Sequence, residues 1–84
     1  MYWFDVLPEV RDQVAALPAH ALPSCAELVA FLELTPWAGA PYRRDNPEGA
    51  MRHIPFGRNG EGLALYLVLE PQRRVVMLSI TWVD

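Results

Sequence analysis

In the stretch MRHIPFGRNGEGLALYLVL, residues 51 to 69, Arg52, His53 and Arg58 gather around an Asn59-Gly60 pair. These side-chain types suit work on phosphate. A guanidinium clamps a phosphate through two parallel hydrogen bonds, and an imidazole takes up and releases a proton near neutral pH. Arg73 and Arg74 follow at the next turn. Each residue also has an ordinary use. His53 can be a strand histidine on a half-exposed face, and Arg52 and Arg58 can pair with Glu48, Glu61 or Glu70. Arg73 and Arg74 can guard a sheet edge against pairing with other chains.

The charge distribution confines any anion site to the second half of the chain. The formal net charge is −3. Residues 1–41 hold one Arg against five acids, a net of −4, and residues 42–84 hold six Arg against five acids, a net of +1. An acidic chain is not held to nucleic acid by long-range electrostatics alone, which leaves local patches. The single cysteine, Cys25, cannot form an internal disulfide, and no signal peptide precedes Asp5, so a cytoplasmic location is expected. No apolar run is long enough to span a bilayer. One Cys and two widely spaced His offer no metal-ligand spacing, and no cofactor motif is present.

Positioning these residues falls to a small set of elements. At 84 residues with 52% hydrophobic composition, the chain suits one domain, residues 1–84, built on one core. MYWFDVL reads as a strand ended by Pro8. PEVRDQVAAL places Val10, Val14 and Leu17 on one helical face. Leu22, Cys25, Leu28, Val29 and Leu32 then mark a second helix. It begins either at a capping box of Ser24 and Glu27 or near Ala19 with Pro23 in its first turn. TPWAGAPYRRDNPEG, residues 35–49, has no usable period and reads as a surface connection. In it Trp37 and Tyr42 either stack on a base or pin the connection to the core. MRHIPF, LALYLVLE and VVMLSITWVD are three strands of an antiparallel meander, its first turn signalled by Asn59-Gly60. The expected fold is α+β, in the order β-α-α-β-β-β, with a two-helix hairpin on one face of a small antiparallel sheet.

Alternation in LALYLVL puts Leu63, Leu65, Leu67 and Leu69 on one face and Ala64, Tyr66 and Val68 on the other. Both faces are apolar. Either the leucines pack under the helices, or they form an exposed apolar face of the kind that receives a partner. In the second case Leu63, Leu65 and Leu67, with Trp82, are the partner-binding candidates.

This order of elements resembles the RelE/ParE superfamily of small bacterial toxins. The lead-in LPEV to the first helix, the connection TPWAGAPYRRDNPEGAMR and the ending YLVLEPQRRVVMLSI carry the likeness, which covers nearly the whole chain. The resemblance implies a toxin of a type II toxin–antitoxin pair, with a cognate antitoxin as partner. Ribosome-dependent members cut mRNA in the decoding site by activating the ribose 2′-hydroxyl against the adjacent phosphate. That chemistry needs a base, an acid and cations around the transition state.

In those relatives the cations stand on the strand before the hairpin, early in the next strand and near the C-terminus. Here Arg52 matches the first position, with His53 beside it and Arg58 in the loop. Gly62 and Leu63 stand where a Tyr-Arg pair is usual, and Trp82 and Val83 stand where the C-terminal cations fall. The resemblance therefore implies His53, Arg52 and Glu61 as catalytic candidates and Arg52, Arg58, Arg73 and Arg74 as RNA contacts. The alternative is a binding module on the same scaffold, directed at gyrase or at the antitoxin alone, or associating with itself as a homodimer. Binding survives the loss of catalytic residues more readily than cleavage does.

Overall fold

The computed structural model describes residues 1–83. Its elements are β1 (Trp3–Val6), α1 (Pro8–Ala15), α2 (Leu22–Leu34), β2 (Ala40–Pro41), β3 (Met51–Phe56), β4 (Gly62–Leu69) and β5 (Arg74–Trp82). The expected succession of a strand, two helices and a three-stranded meander is the one adopted. Asp84, the last residue of the expected final strand, lies outside the described residues.

Proline punctuation sets the helices. Pro8 occupies the first turn of α1, where a missing N–H costs nothing, and Val10 on the inner face is fully buried. After Pro18 a 3-10 turn, Ala19–Ala21, leads directly into α2, and the chain changes direction by 117° between the helices. The N-cap of α2 is Ala21, with Pro23 in the first turn. Ser24 therefore lies inside the helix and does not cap it; Pro23 stands in the first turn, and the helix starts at Leu22, directly after the 3-10 turn that begins at Ala19. No single helix among the described residues is long and apolar enough to cross a membrane.

The five strands lie in the order β1-β5-β4-β3-β2. β2 to β5 are antiparallel neighbours, whereas β1 runs parallel to β5, Phe4 opposite Val75 and Val6 opposite Met77, so the sheet is mixed. The long route through both helices and the meander lets the chain return to β5 in the parallel sense, which a tight turn cannot do. The hairpin between β3 and β4 is wider than an Asn-Gly turn. Its loop runs from Gly57 to Glu61, and Gly57 (φ +96°) and Gly60 (φ +73°) take the left-handed conformations.

A register shift fixes which side chains form the core. Leu65 pairs with Ser79 and Tyr66 with Met77, so Leu78 is an extra residue that resets the alternation of β5. Val75, Met77 and Ile80 can then all point inward, where they meet Ala64, Tyr66 and Val68 of β4, Val10 of α1, and Cys25, Leu28 and Leu32 of α2. The leucines of β4 point away from the helices. That decides between the two readings of LALYLVL. Cys25 sits in the core as expected, and burial pushes its thiol pKa up.

Tyr66 is the largest fully buried side chain, and it reaches the connection by hydrogen bonds. Its hydroxyl donates to the Pro36 carbonyl at 2.7 Å and accepts from the Gly39 N–H at 3.0 Å. Gly39 passes so close that a Cβ there would collide with the Tyr66 hydroxyl and come within 2.8 Å of the His53 carbonyl. Tyr66→Phe would leave a donor and an acceptor buried and unpaired. A loss of about 1–3 kcal/mol in unfolding free energy is expected, measurable as a lowered urea midpoint at unchanged slope.

Candidate functional site

The face of the sheet turned away from the helices is open. Its central row is Leu63, Leu65, Leu67 and Leu69, flanked by Met51, His53 and Pro55 of β3 and by residues of β5. Leu63 is 46% exposed and Met51 37%. His53 is half-buried in this apolar surface, opposite Leu65 on one side and Ala40 of β2 on the other. Among the described residues its ring makes no hydrogen bond or ion pair. Glu61 lies just before the start of β4, four residues along the ladder from Leu65, the partner of His53, on the order of 13 Å. The two therefore do not form an acid–base pair in this structure.

Arg52 has the opposite environment. As the next residue on β3 it points to the helix side, opposite Tyr66, and is 8% exposed. Its guanidinium donates to the carbonyls of Gly39 at 2.9 Å, Pro47 at 2.8 Å and Gly49 at 3.1 Å. It also lies 4.8 Å from the centroid of the Trp37 ring. Three carbonyls and a ring face occupy the groups that a phosphate would need. The sequence-level pairing of Arg52 with His53 fails because adjacent strand residues point to opposite faces.

The hairpin loop carries the next two candidates. Arg58 is exposed, and among the described residues it makes no hydrogen bond or ion pair. The Glu61 carboxylate turns back to accept the Asn59 N–H at 2.8 Å, while its carbonyl accepts from Val83. Trp82 does not share the leucine face. It lies on the helix side, with ring centroids 5.7 Å from Phe56 and 5.9 Å from His20. Arg73 and Arg74 stand at the other end of β4, whose eight residues span about 25 Å. The four arginines expected at RNA therefore form no single patch.

No protein-family model matches this chain, and no curated protein matches it by sequence. Solved structures do match. The isolated RelE toxin of E. coli aligns with a TM-score of 0.79 over 100% of this chain and 86% of its own, at 13% identity. The chain has the RelE fold. The intact E. coli RelBE toxin–antitoxin complex aligns at 0.75, over 100% of this chain and 99% of that one, at 12% identity. A RelBE toxin–antitoxin complex of Mycobacterium tuberculosis aligns at 0.72, over 98% and 91%, at 24% identity.

Within this RelE fold Arg73 and Arg74 serve the sheet ends. Arg74 pairs with Asp5 across the parallel β1–β5 contact at 3.0 Å. Arg73 takes a left-handed backbone conformation (φ 52°), stacks 4.2 Å from the Tyr2 ring centroid and reaches Glu70 at 3.1 Å. Glu70 also accepts from the Tyr2 hydroxyl at 2.6 Å and from Trp37 Nε1 at 2.7 Å. One carboxylate thus ties the N-terminal strand, the connection and the β4–β5 turn together. The i, i+3 spacing of Glu70 and Arg73 is a local sequence signal, but nothing local points to Tyr2 or Trp37. Of the two readings of Trp37, the pin is the one seen.

Two outcomes follow from these contacts. Arg52→Ala should lower unfolding free energy by about 3 kcal/mol and open residues 42–49 to limited proteolysis. Arg52→Lys should recover less than half of the loss, because an ammonium cannot serve three divergent carbonyls from a flat fork. Hydrogen bonds from Tyr2 and Trp37, then Arg73, hold the Glu70 pKa below the usual carboxylate range. A depressed pKa gives stability that is complete above the unfolded value, about 4.3, and is lost as pH falls through the folded value. Thermal midpoints should drop on acidification, and Glu70→Gln should lower the midpoint at pH 7 while flattening that drop.

Proposed function

We propose that this protein is the toxin of a toxin–antitoxin pair: a RelE-like domain spanning residues 1–84 that arrests translation in the cytoplasm until a cognate antitoxin binds it. The observation that carries this reading is the fold likeness to the isolated RelE toxin over the whole chain. Likeness to RelBE toxin–antitoxin complexes supports the antitoxin partner. The open leucine face, with Leu63, Leu65 and Leu67 turned outward, supports a bound protein segment on the sheet. For cleavage of ribosome-bound mRNA, His53 on that face and Arg58 on the hairpin are the residues free to meet RNA. His53 then acts as the base on the ribose 2′-hydroxyl, and Arg58, five residues farther along the hairpin, meets the RNA backbone away from the reacting phosphate.

A second reading has its own observation. Arg52 is occupied by three carbonyls, and Arg73 and Arg74 by Glu70 and Asp5. This favours a toxin that acts by binding, without cutting RNA. The two readings separate when the lone protein is induced in a bacterial host and RNA 5′ ends are mapped across coding regions. Growth arrest with new ends inside translated mRNA, abolished by His53→Ala and weakened by Arg58→Ala, is the expected result for cleavage. Arrest without new ends selects binding, and unimpaired growth refutes the toxin assignment.

A further inference from the structure

Of the two aromatic residues in the connection, Trp37 is held by Glu70, whereas the Tyr42 ring has no partner among the described residues. The Tyr42 N–H donates to the Met51 carbonyl at 2.9 Å, which carries the pairing of β2 with β3 one residue past Pro41. Cross-strand partners share a face, so Tyr42 and Ala40 lie on the open side of the sheet with Met51 and His53. The phenol is 57% exposed and Met51 beside it 37%. Its backbone is fixed while its ring faces water.

Ala40 gives this placement its use. It stands opposite His53 and two residues from Tyr42, it is exposed, and nothing larger than its methyl group fills the space above it. Tyr42 and His53 border that space as diagonal neighbours, about 7 Å apart at their β-carbons. A phenol and an imidazole at that separation suit a nucleotide, whose base stacks on the aromatic face while its ribose and phosphate continue past it.

The surroundings favour RNA over a polypeptide at this corner. The apolar row of β4 lies on the other side of His53, whereas Arg43, Arg44, Asp45 and Asn46, all exposed, follow Tyr42. An apolar partner segment finds nothing to bury there. Arg43 is paired with Asp45 at 3.2 Å, but Arg44 makes no hydrogen bond or ion pair among the described residues, so a guanidinium two residues from the ring is available to a phosphate. Glu48 balances its charge over the connection as a whole. Stacking, and not long-range attraction, must therefore supply most of the binding.

We propose that Tyr42 is the stacking platform for a base of single-stranded RNA on the open face, with His53 on the ribose side and Arg44 at a flanking phosphate. The assignment takes its ligand from the cleavage reading and adds the residue that holds the nucleotide in place.

Fluorescence anisotropy of the full chain with a 2′-O-methyl RNA of about eight nucleotides, which binds but cannot be cut, tests this. Tyr42→Ala should lose roughly tenfold in affinity and Tyr42→Trp should restore it, with circular dichroism unchanged in both because the position is exposed. Arg44→Ala should flatten the plot of log affinity against log salt by about 0.7. The same RNA carrying iodouridine should cross-link to Tyr42 on irradiation, which a merely structural role would not produce. The proposal is overturned if the chain binds no RNA or if Tyr42→Ala binds it as the wild type does. It is equally overturned if Tyr42→Ala loses only self-association in sedimentation, since a second copy would then cover the ring. Induction in a bacterial host separates it from the cleavage reading. Cuts abolished by His53→Ala but undiminished in Tyr42→Ala overturn the platform alone, and Tyr42-dependent binding by a chain that makes no cuts upholds it without cleavage.

Discussion

The connection between α2 and β3 has no apolar period to fold it, and its place is fixed by polar side chains from the sheet. Tyr66 holds the Pro36 carbonyl and the Gly39 N–H from below, and Arg52 gathers the carbonyls of Gly39, Pro47 and Gly49. Both come from adjacent positions of paired strands and lie on the helix side of the sheet. Because water is excluded around them, each hydrogen bond is strong and each unmade one costly. With the backbone at Ala40 and Pro41 held in this way, β2 can pair with β3 beside His53. The edge of the open face is thus built from the buried face.

The same arrangement explains how charge is used across the molecule. The second half of the chain holds six of the seven arginines. Arg52, Arg73 and Arg74 secure the connection, the β4–β5 turn and the parallel β1–β5 contact. The open face carries the β4 leucines with Met51, His53 and Pro55 on one side, and Val76, Ser79, Thr81 and the Arg74–Asp5 pair on the other. A surface of that character is suited to a protein partner, and its one imidazole is the group available there for proton transfer.

Much of the fold was legible in the sequence because its signals are local. Pro8, Pro18 and Pro23 bound the helices through the missing N–H and the fixed φ. A continuous apolar run marked β4, and Asn59-Gly60 marked the reversal. The resemblance carried by LPEV and YLVLEPQRRVVMLSI led to the same architecture that the RelE structures display. Of the candidate site, the residue types were legible but not their surroundings: His53 is half-buried on the open face, Arg58 is exposed on the loop, and Arg52 is a buried anchor. A strand arginine beside a histidine reads alike whether its face is wet or covered.

By itself the sequence determined the two helices and the strands β1, β3, β4 and β5, since propensity, proline and period act within a few residues, whereas β2 lies in a connection without a period. Only the tertiary structure decided which face of β4 is buried, because a strand apolar on both sides carries no such preference. Burial there depends on the extra residue at Leu78 and on the covering helices. Tertiary structure also decided that β1 is parallel to β5 and that Tyr2, Trp37 and Arg73 meet on Glu70. Those residues lie up to 71 positions apart, and contacts across such separations follow from how the layers pack.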